Sequence, residues 1–425
     1  MPVRIRLPFL LLLLFGTLTL SGQVRIASPY SRYGLGDLSD INNAWNLSMG
    51  QLSYSVRSPM HVNFGNPASY TAFDSLSFVF DGGFSTEFVQ LTSNLQSANR
   101  TYASVGYLNF GFQVTRWWKT QVGLLPFSDV GYNVATLEDK ADIGLILHTY
   151  TGDGGINRFI WGNGFKILKN LSVGFNFSYI FGNVDIASNV IYPDSLFYAN
   201  VKVNNYVTMH DIYFDYGVQY HGKLKKDYDF CAGAVFAANS RMRSQADYLV
   251  RTFFLSTDYV QYIKDTIAMG TDYKGDILIP LMVGGGFSLG KTDKWTAGID
   301  GKWQNWEKFT AFGMSDSLVN SYRISAGAEI IPDKNGYGNY LKRIRYRFGF
   351  MYQGTYLSLR GKQLSEYSVS LGFGFPLKSI RTMVNLGAQV GTRGTTAENL
   401  IRETYFKFIL GFSIHEKWFV KKKYY

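Results

Sequence analysis

Along most of this chain, apolar and polar side chains take turns, and the pattern restarts repeatedly from about residue 76 to the C-terminus. In the last stretch Phe406, Phe408, Leu410, Phe412 and Ile414 share one parity, while Lys407, Gly411, Ser413 and His415 share the other. A period of two is the signature of a β-strand with one apolar and one polar face. The apolar face is strongly aromatic: Phe, Trp and Tyr make up 17% of the sequence, a composition that suits the interfacial girdles of a barrel immersed in lipid. The mean hydropathy of −0.06 fits the same reading, because lipid-facing and lumen-facing residues average out. The expected fold is therefore all-β: a single antiparallel transmembrane β-barrel of about 14 strands, an even number as single-chain bacterial barrels require.

The spacing predicts strands over 76–91, 104–117, 119–135, 154–168, 170–187, 206–222, 228–243, 276–290, 294–310, 319–331, 343–356, 364–376, 381–394 and 402–415. Short turns such as Arg116-Trp117-Trp118-Lys119, Leu168-Lys169-Asn170 and Lys291-Thr292-Asp293 alternate with longer polar stretches at 92–103, 136–153, 188–205 and 244–275. These longer stretches are expected to be outward loops and the short turns periplasmic. Residues 332–342, on the short-turn side, are the exception in length.

Parity assigns the faces. Leu171, Val173, Phe175, Phe177, Tyr179 and Phe181 are expected toward lipid, as are Ile212, Phe214, Tyr216, Val218 and Tyr220. Asp211, Asp215, Asp300, Lys302, Arg323, Glu329, Arg345, Arg347 and Lys407 fall on inward parities. An Arg or Lys on the lipid face near the midplane would cost about 2–4 kcal/mol, so their shared inward placement supports the register. Acids and bases are interspersed, which favours a bracing network of ion pairs over a single-sign pore lining.

The N-terminus reads as an export signal over residues 1–22. Arg4 and Arg6 precede an apolar run from Phe9 to Leu20, and small Ser21 and Gly22 precede Gln23. The leader's two arginines account for part of the formal charge of +11. Export removes nucleic acid as a partner. The terminal run Lys421-Lys422-Lys423 reads as a solvated tail or a contact to lipopolysaccharide phosphates. The implied location is the outer membrane of a Gram-negative bacterium, after cleavage near Gly22. There the surroundings are outer-membrane lipid and lipopolysaccharide, with periplasmic chaperones and barrel-assembly machinery acting during biogenesis.

Residues 23–75 do not alternate and are rich in turn formers. Because a closed barrel of about 14 strands would leave a wide lumen, this segment is expected to lie inside it as a plug, followed by the barrel over 76–425. Asn66-Pro67-Ala68 ahead of the strand opening at Leu76-Ser77-Phe78 resembles the Asn-Pro-Ala signature of the FadL-like family of long-chain fatty-acid transporters. The run Gly154-Gly155-Ile156-Asn157-Arg158-Phe159, its continuation through Asn170 to Gly182, and the ending Arg402 to Phe419 resemble that family's version in bacteria with type IX secretion. The resemblance implies a 14-stranded barrel with an N-terminal hatch, in which hydrophobic molecules enter the hatch region and leave sideways through the wall. It also implies an alternative, a PorV-like branch that serves as a docking subunit in secretion. Only Asn66, Pro67 and Ala68 carry over as hatch residues.

No enzyme is expected, and neither metal nor cofactor. Gly286-Phe287-Ser288-Leu289-Gly290 matches a serine-hydrolase pattern but runs into another strand rather than a helix. The five histidines lack metal-ligand spacing, and the lone Cys231 excludes internal disulfides. The expected function is a conduit for hydrophobic or amphiphilic small molecules that enter through a hatch-gated pocket. The alternative is an accessory subunit of a secretion or assembly complex, bound to partner outer-membrane proteins.

Overall fold

The computed structural model describes residues 28–39, 42–194, 198–225, 227–256, 258, 260–335, 338–377 and 382–417. The export signal, its cleavage site and the Lys421–Lys423 run lie outside these residues. Fourteen antiparallel strands close into one barrel. They are β1 (Ser77–Thr92), β2 (Ser97–Gln113), β3 (Trp118–Lys140), β4 (Gly144–Lys166), β5 (Leu171–Ile191), β6 (Asn200–Lys225), β7 (Tyr228–Ala237 continued by Ser240–Leu255), β8 (Gln261–Ile279 continued by Met282–Lys291), β9 (Trp295–Gln304), β10 (Ser321–Ile330), β11 (Arg345–Leu359), β12 (Lys362–Pro376), β13 (Thr382–Gly394) and β14 (Arg402–Lys417). Closure is complete at the ends of the chain, where β14 pairs with β1 from Arg402↔Thr92 to Lys417↔Ser77.

The outside of the wall is apolar. Phe84, Phe88, Phe348, Phe350, Val369, Leu371, Phe406 and Phe408 are all exposed. Water would not tolerate so continuous a belt, and lipid supplies its solvent. The inward partners Ser172, Asn176, Ser178, Gln219, Ser370 and Ser413 are buried.

The four long polar stretches are not loops. β3 and β4 run as a ladder up to Lys140↔Gly144, β5 and β6 up to Val190↔Val201, and β7 and β8 up to Leu255↔Gln261. Above the lipid no hydrocarbon selects one face of a hairpin, so the alternation that marks a strand fades although the backbone pairing continues. The result is a lopsided rim: the hairpins from β3 to β8 stand tall, while β9 to β14 stop near the mouth.

The tall wall has a hand-over. The lower part of β6 pairs with β7 up to Tyr216↔Phe236, and its upper part resumes at Met209↔Ser244. β7 breaks after Ala237 and β8 at Pro280, whose missing N–H suits an interruption of the ladder. Asp211 sits in this stretch, which pairs with β5 but not with β7. Its carboxylate accepts the backbone N–H of Arg243 at 2.8 Å and the side-chain Nε–H at 3.1 Å.

Residues 28–39 and 42–73 pack against the inward face of the wall, bonded to Asp300, Glu329, Asn176 and Arg323 among others. Trp306, Phe309 and Leu318, from the β9–β10 connection, pack with Tyr356, Leu357, Met209, Tyr213 and Ile277 into an apolar cap on the tall side.

Candidate functional site

The plug is held by wall charges that reach inward. Asp300 accepts the backbone N–H groups of Ser53 and Tyr54, each at 2.6 Å, and the Ser55 hydroxyl at 2.7 Å. Glu329 accepts Arg347 Nε at 2.7 Å, Arg345 Nη1 at 3.0 Å and the indole N–H of Trp45 at 3.3 Å. Arg347 also donates to Asn385 Oδ1 at 2.8 Å, and Arg323 to Gln51 Oε1 at 2.6 Å. Asp215 accepts Asn176 Nδ2 at 2.6 Å, and Lys407 lies 3.4 Å from Glu87. Lys302 borders the cavity described below. Asp211 serves the strand hand-over instead, through its bonds to Arg243.

The Asn-Pro-Ala motif has a local physical reason. Asn66 caps the 3-10 turn Pro67–Ala72, its Oδ1 accepting the Ala68 N–H at 3.1 Å. Pro67 starts that turn with a preset φ and no N–H to satisfy. The Asn66 amide donates to Tyr54 O at 2.9 Å and Val218 O at 3.3 Å, joining plug to plug and plug to β6. Ala68 is fully buried, so a larger side chain has no room.

Two wall glycines make this fit possible. A Cβ at Gly233 would lie 1.9 Å from Tyr54 O, and one at Gly349 would lie 2.0 Å from Gly50 N. The plug backbone therefore runs directly against the strands, at distances only glycine permits.

The wall is not paired to its full height. β2 and β3 share a ladder only from Gln113↔Lys119 to Leu108↔Leu124. Above that point β2 pairs with β1 alone and β3 with β4. The seam begins at two irregularities. Gly106 is skipped between the pairs Gly83↔Tyr107 and Phe84↔Val105, and Phe127 is skipped between Pro126↔Asn157 and Ser128↔Ile156. Such bulges re-aim side chains and end pairing.

The plug occupies part of the edge that β2 leaves empty. Asp37 and Leu38 pair with Asp129 and Ser128 of β3. The Ser39 N–H donates to Phe127 O, and the Ser28 N–H to Gly131 O, each at 3.0 Å.

Behind the seam lies a cavity of about 270 Å³. Tyr102, Ser104 and Gly106 border it from β2, Pro126, Phe127 and Asp129 from β3, and Asp37, Leu38 and Asn42 from the plug. On one wall Arg393 Nη1 meets Asp37 at 2.7 Å, and Nη2 meets Glu403 at 2.6 Å. On the other, Arg158 is 1% exposed and stands 3.9 Å from Asp215, with its Nε and Nη2 lacking any hydrogen-bond partner among the described residues. The lining is thus mixed, with apolar and charged groups side by side.

Arg158, Arg393 and Glu403 were not among the residues expected from the sequence, and the place of the seam was not expected either. The signal for the seam was present, since a proline and a glycine inside alternating strands mark bulges or edges. Ser288 of the hydrolase-like pattern donates to Ser55 O at 2.6 Å and is 4% exposed, so it is one more plug contact. Among the described residues no group of three His, Cys, Asp or Glu is arranged to hold a metal ion.

A family profile described as BamG matches residues 4–425. Curated proteins give no match. Among solved structures the fold is similar to the Ralstonia pickettii toluene transporter TbuX at 12% identity, with a TM-score of 0.57 over 88% of this chain and 98% of that one. It is similar to the P. putida toluene transporter TodX at 13% identity, with a TM-score of 0.57 over 89% and 99%. A Pseudomonas aeruginosa FadL homologue matches at 10% identity, with a TM-score of 0.57 over 90% and 99%. At these identities the likeness is one of fold, and the fold is FadL-like, as Asn66-Pro67-Ala68 implied.

Proposed function

The chain belongs to the BamG family, whose match runs unbroken through plug and barrel, and from that premise we propose that the two act together as a non-enzymatic outer-membrane conduit for amphiphilic small molecules. The observation that carries this reading is the cavity that reaches the unpaired seam between β2 and β3. A molecule in the cavity has lipid, not water, on the far side of that seam. Structural neighbours described as toluene transporters support the class of cargo.

The lining narrows that class. A pure hydrocarbon would bury Arg158, Asp37 and Glu403 without replacing their water, which is costly. A molecule with an anionic head and an apolar tail suits the site better. The Nε and Nη2 edge of Arg158 is a fork that donates two parallel bonds to a carboxylate or phosphate, while Leu38, Phe127 and Pro126 border the path of the tail. The test is uptake of decanoate into proteoliposomes that hold the purified protein. We expect uptake above empty liposomes, and a drop of roughly tenfold or more in Arg158→Gln, the cost of about one charge-assisted hydrogen bond. Uptake equal to that of empty liposomes would overturn the reading.

A second reading rests on a different observation, the tall half of the rim. Tyr248, Tyr262, Ile263, Ile267, Met269 and Tyr273 of the β7–β8 hairpin are exposed above the lipid. So much apolar surface in water fits contact with another protein, which is the docking-subunit alternative. Stoichiometric recovery of a partner protein after mild extraction, lost on removal of residues 245–272, would favour it.

A further inference from the structure

At the short-turn end, three neighbouring connections form one continuous surface. They are residues 114–118 between β2 and β3, 166–171 between β4 and β5, and 221–225 at the end of β6. Backbone bonds join them: Lys166 N–H donates to Trp117 O and His221 N–H to Asn170 O, each at 2.8 Å. Arg116, Lys166, Lys169, Lys223 and Lys225 are exposed there, and none of the three stretches contains an acidic residue. At another place on this rim Lys334 is paired with Asp293 at 2.8 Å.

The same surface exposes large apolar side chains. Trp117 is 56% exposed, Ile167 57%, Leu168 63% and Leu224 60%. Trp117 is not loose, since its ring stacks on Phe165 with centroids 5.9 Å apart. These side chains sit just below the lipid-facing belt, at the level where acyl chains give way to headgroups.

We propose that this patch binds anionic phospholipid of the periplasmic leaflet. The pattern matches a lipid in two parts. Acyl chains find Trp117, Ile167, Leu168 and Leu224 beside the wall, and a phosphate finds Lys or Arg within a Debye length of about 8–10 Å. Lysine and arginine stems reach outward along apolar surface while their heads stay at the charged layer. An acidic soluble protein would match the cations, yet it would leave four large apolar side chains facing the bilayer edge with no role in the contact. The inference is independent of the cavity and its cargo.

The experiment uses the full chain in nanodiscs of phosphatidylcholine doped with phosphatidylglycerol, with retained lipids counted by native mass spectrometry. Phosphatidylglycerol should be retained in preference to phosphatidylcholine, less so as salt rises. In the triple variant Lys169→Gln, Lys223→Gln, Lys225→Gln that preference should fall by roughly tenfold or more, while Lys334→Gln keeps it. If the triple variant fails to form a barrel, Arg116→Gln with Lys169→Gln serves instead. Equal retention of the two lipids by the unaltered protein would overturn the proposal, as would a preference that survives the substitutions. Binding of an acidic partner protein to the patch without lipid preference would also overturn it.

Discussion

Asp300 shows how one inward residue can set the position of a whole segment. Its carboxylate gathers two backbone N–H groups and a hydroxyl from three consecutive plug residues. In Asp300→Asn the charge is gone and the new NH2 group points at donors. Hydrogen bonds to charged groups contribute about 1.5–3 kcal/mol each, so the plug should open more often by at least that much. Hydrogen exchange of the amides of residues 52–56 would read it. Gly349→Ala tests the close approach from the wall side. The added Cβ meets backbone at 2.0 Å, and overpacking of about 1–3 kcal/mol should speed exchange at Met49 and Gly50.

A pH effect arises at His61. Its ring stacks on Trp45 at 5.1 Å, its Nδ1 lies 2.9 Å from Ser413 Oγ and 3.7 Å from Asp81, and Arg345 and Arg347 act on it from the wall. Burial holds the imidazole below its ordinary value of 6.5, and the attraction of Asp81 does not outweigh it. A base whose folded value is depressed favours the fold while neutral. That contribution is complete above about pH 6.5 and is lost as pH falls below it. Plug exchange rates should therefore rise on acidification below pH 6.5, and His61→Phe should flatten the dependence. Parity made the inward side of Asp300 and Glu329 legible in the sequence. Their partners in the plug were not legible, because residues 28–73 carry no period from which a face can be read.

At the scale of elements, the decisive feature is the edge of β3 that β2 leaves open and the plug partly covers. The pair Leu38↔Ser128 places two residues of plug and wall side by side. In a Cys231→Ser background, Leu38→Cys with Ser128→Cys should form a disulfide that ties the plug to β3. Decanoate uptake should then fall under oxidation and return on reduction; uptake that ignores the redox state would show that the plug edge does not gate the seam. The sequence made the lower strands legible, since lipid on one face and a polar lumen on the other enforce alternation. It hid the upper ones, where 136–153 and 244–275 lose the alternation although the ladders of β3 with β4 and β7 with β8 run on. Gly106 and Pro126 carried the hint of a seam, but the same residues can mark a harmless bulge. Only the missing ladder above Leu108↔Leu124 distinguishes the two.

The whole molecule is a closed barrel whose ladder is interrupted between β2 and β3. The apolar cap around Trp306, Phe309 and Tyr356 covers the tall side, and the plug's hydrogen bonds fill the short-turn side. Deleting residues 23–70 should raise single-channel conductance in a planar bilayer, and an unchanged current would mean that the plug does not seal the lumen. The strand number and closure were legible from the recurrence of one pattern, whereas cargo specificity depends on a few side chains brought together from distant strands, Arg158 of β4 and Arg393 of β13 among them. Native mass spectrometry of the protein extracted gently from its own membrane bears most directly on the conduit. The protein should appear as a lone barrel carrying small anionic amphiphiles that are lost in Arg158→Gln. A stoichiometric complex with other proteins, free of such adducts, would contradict it.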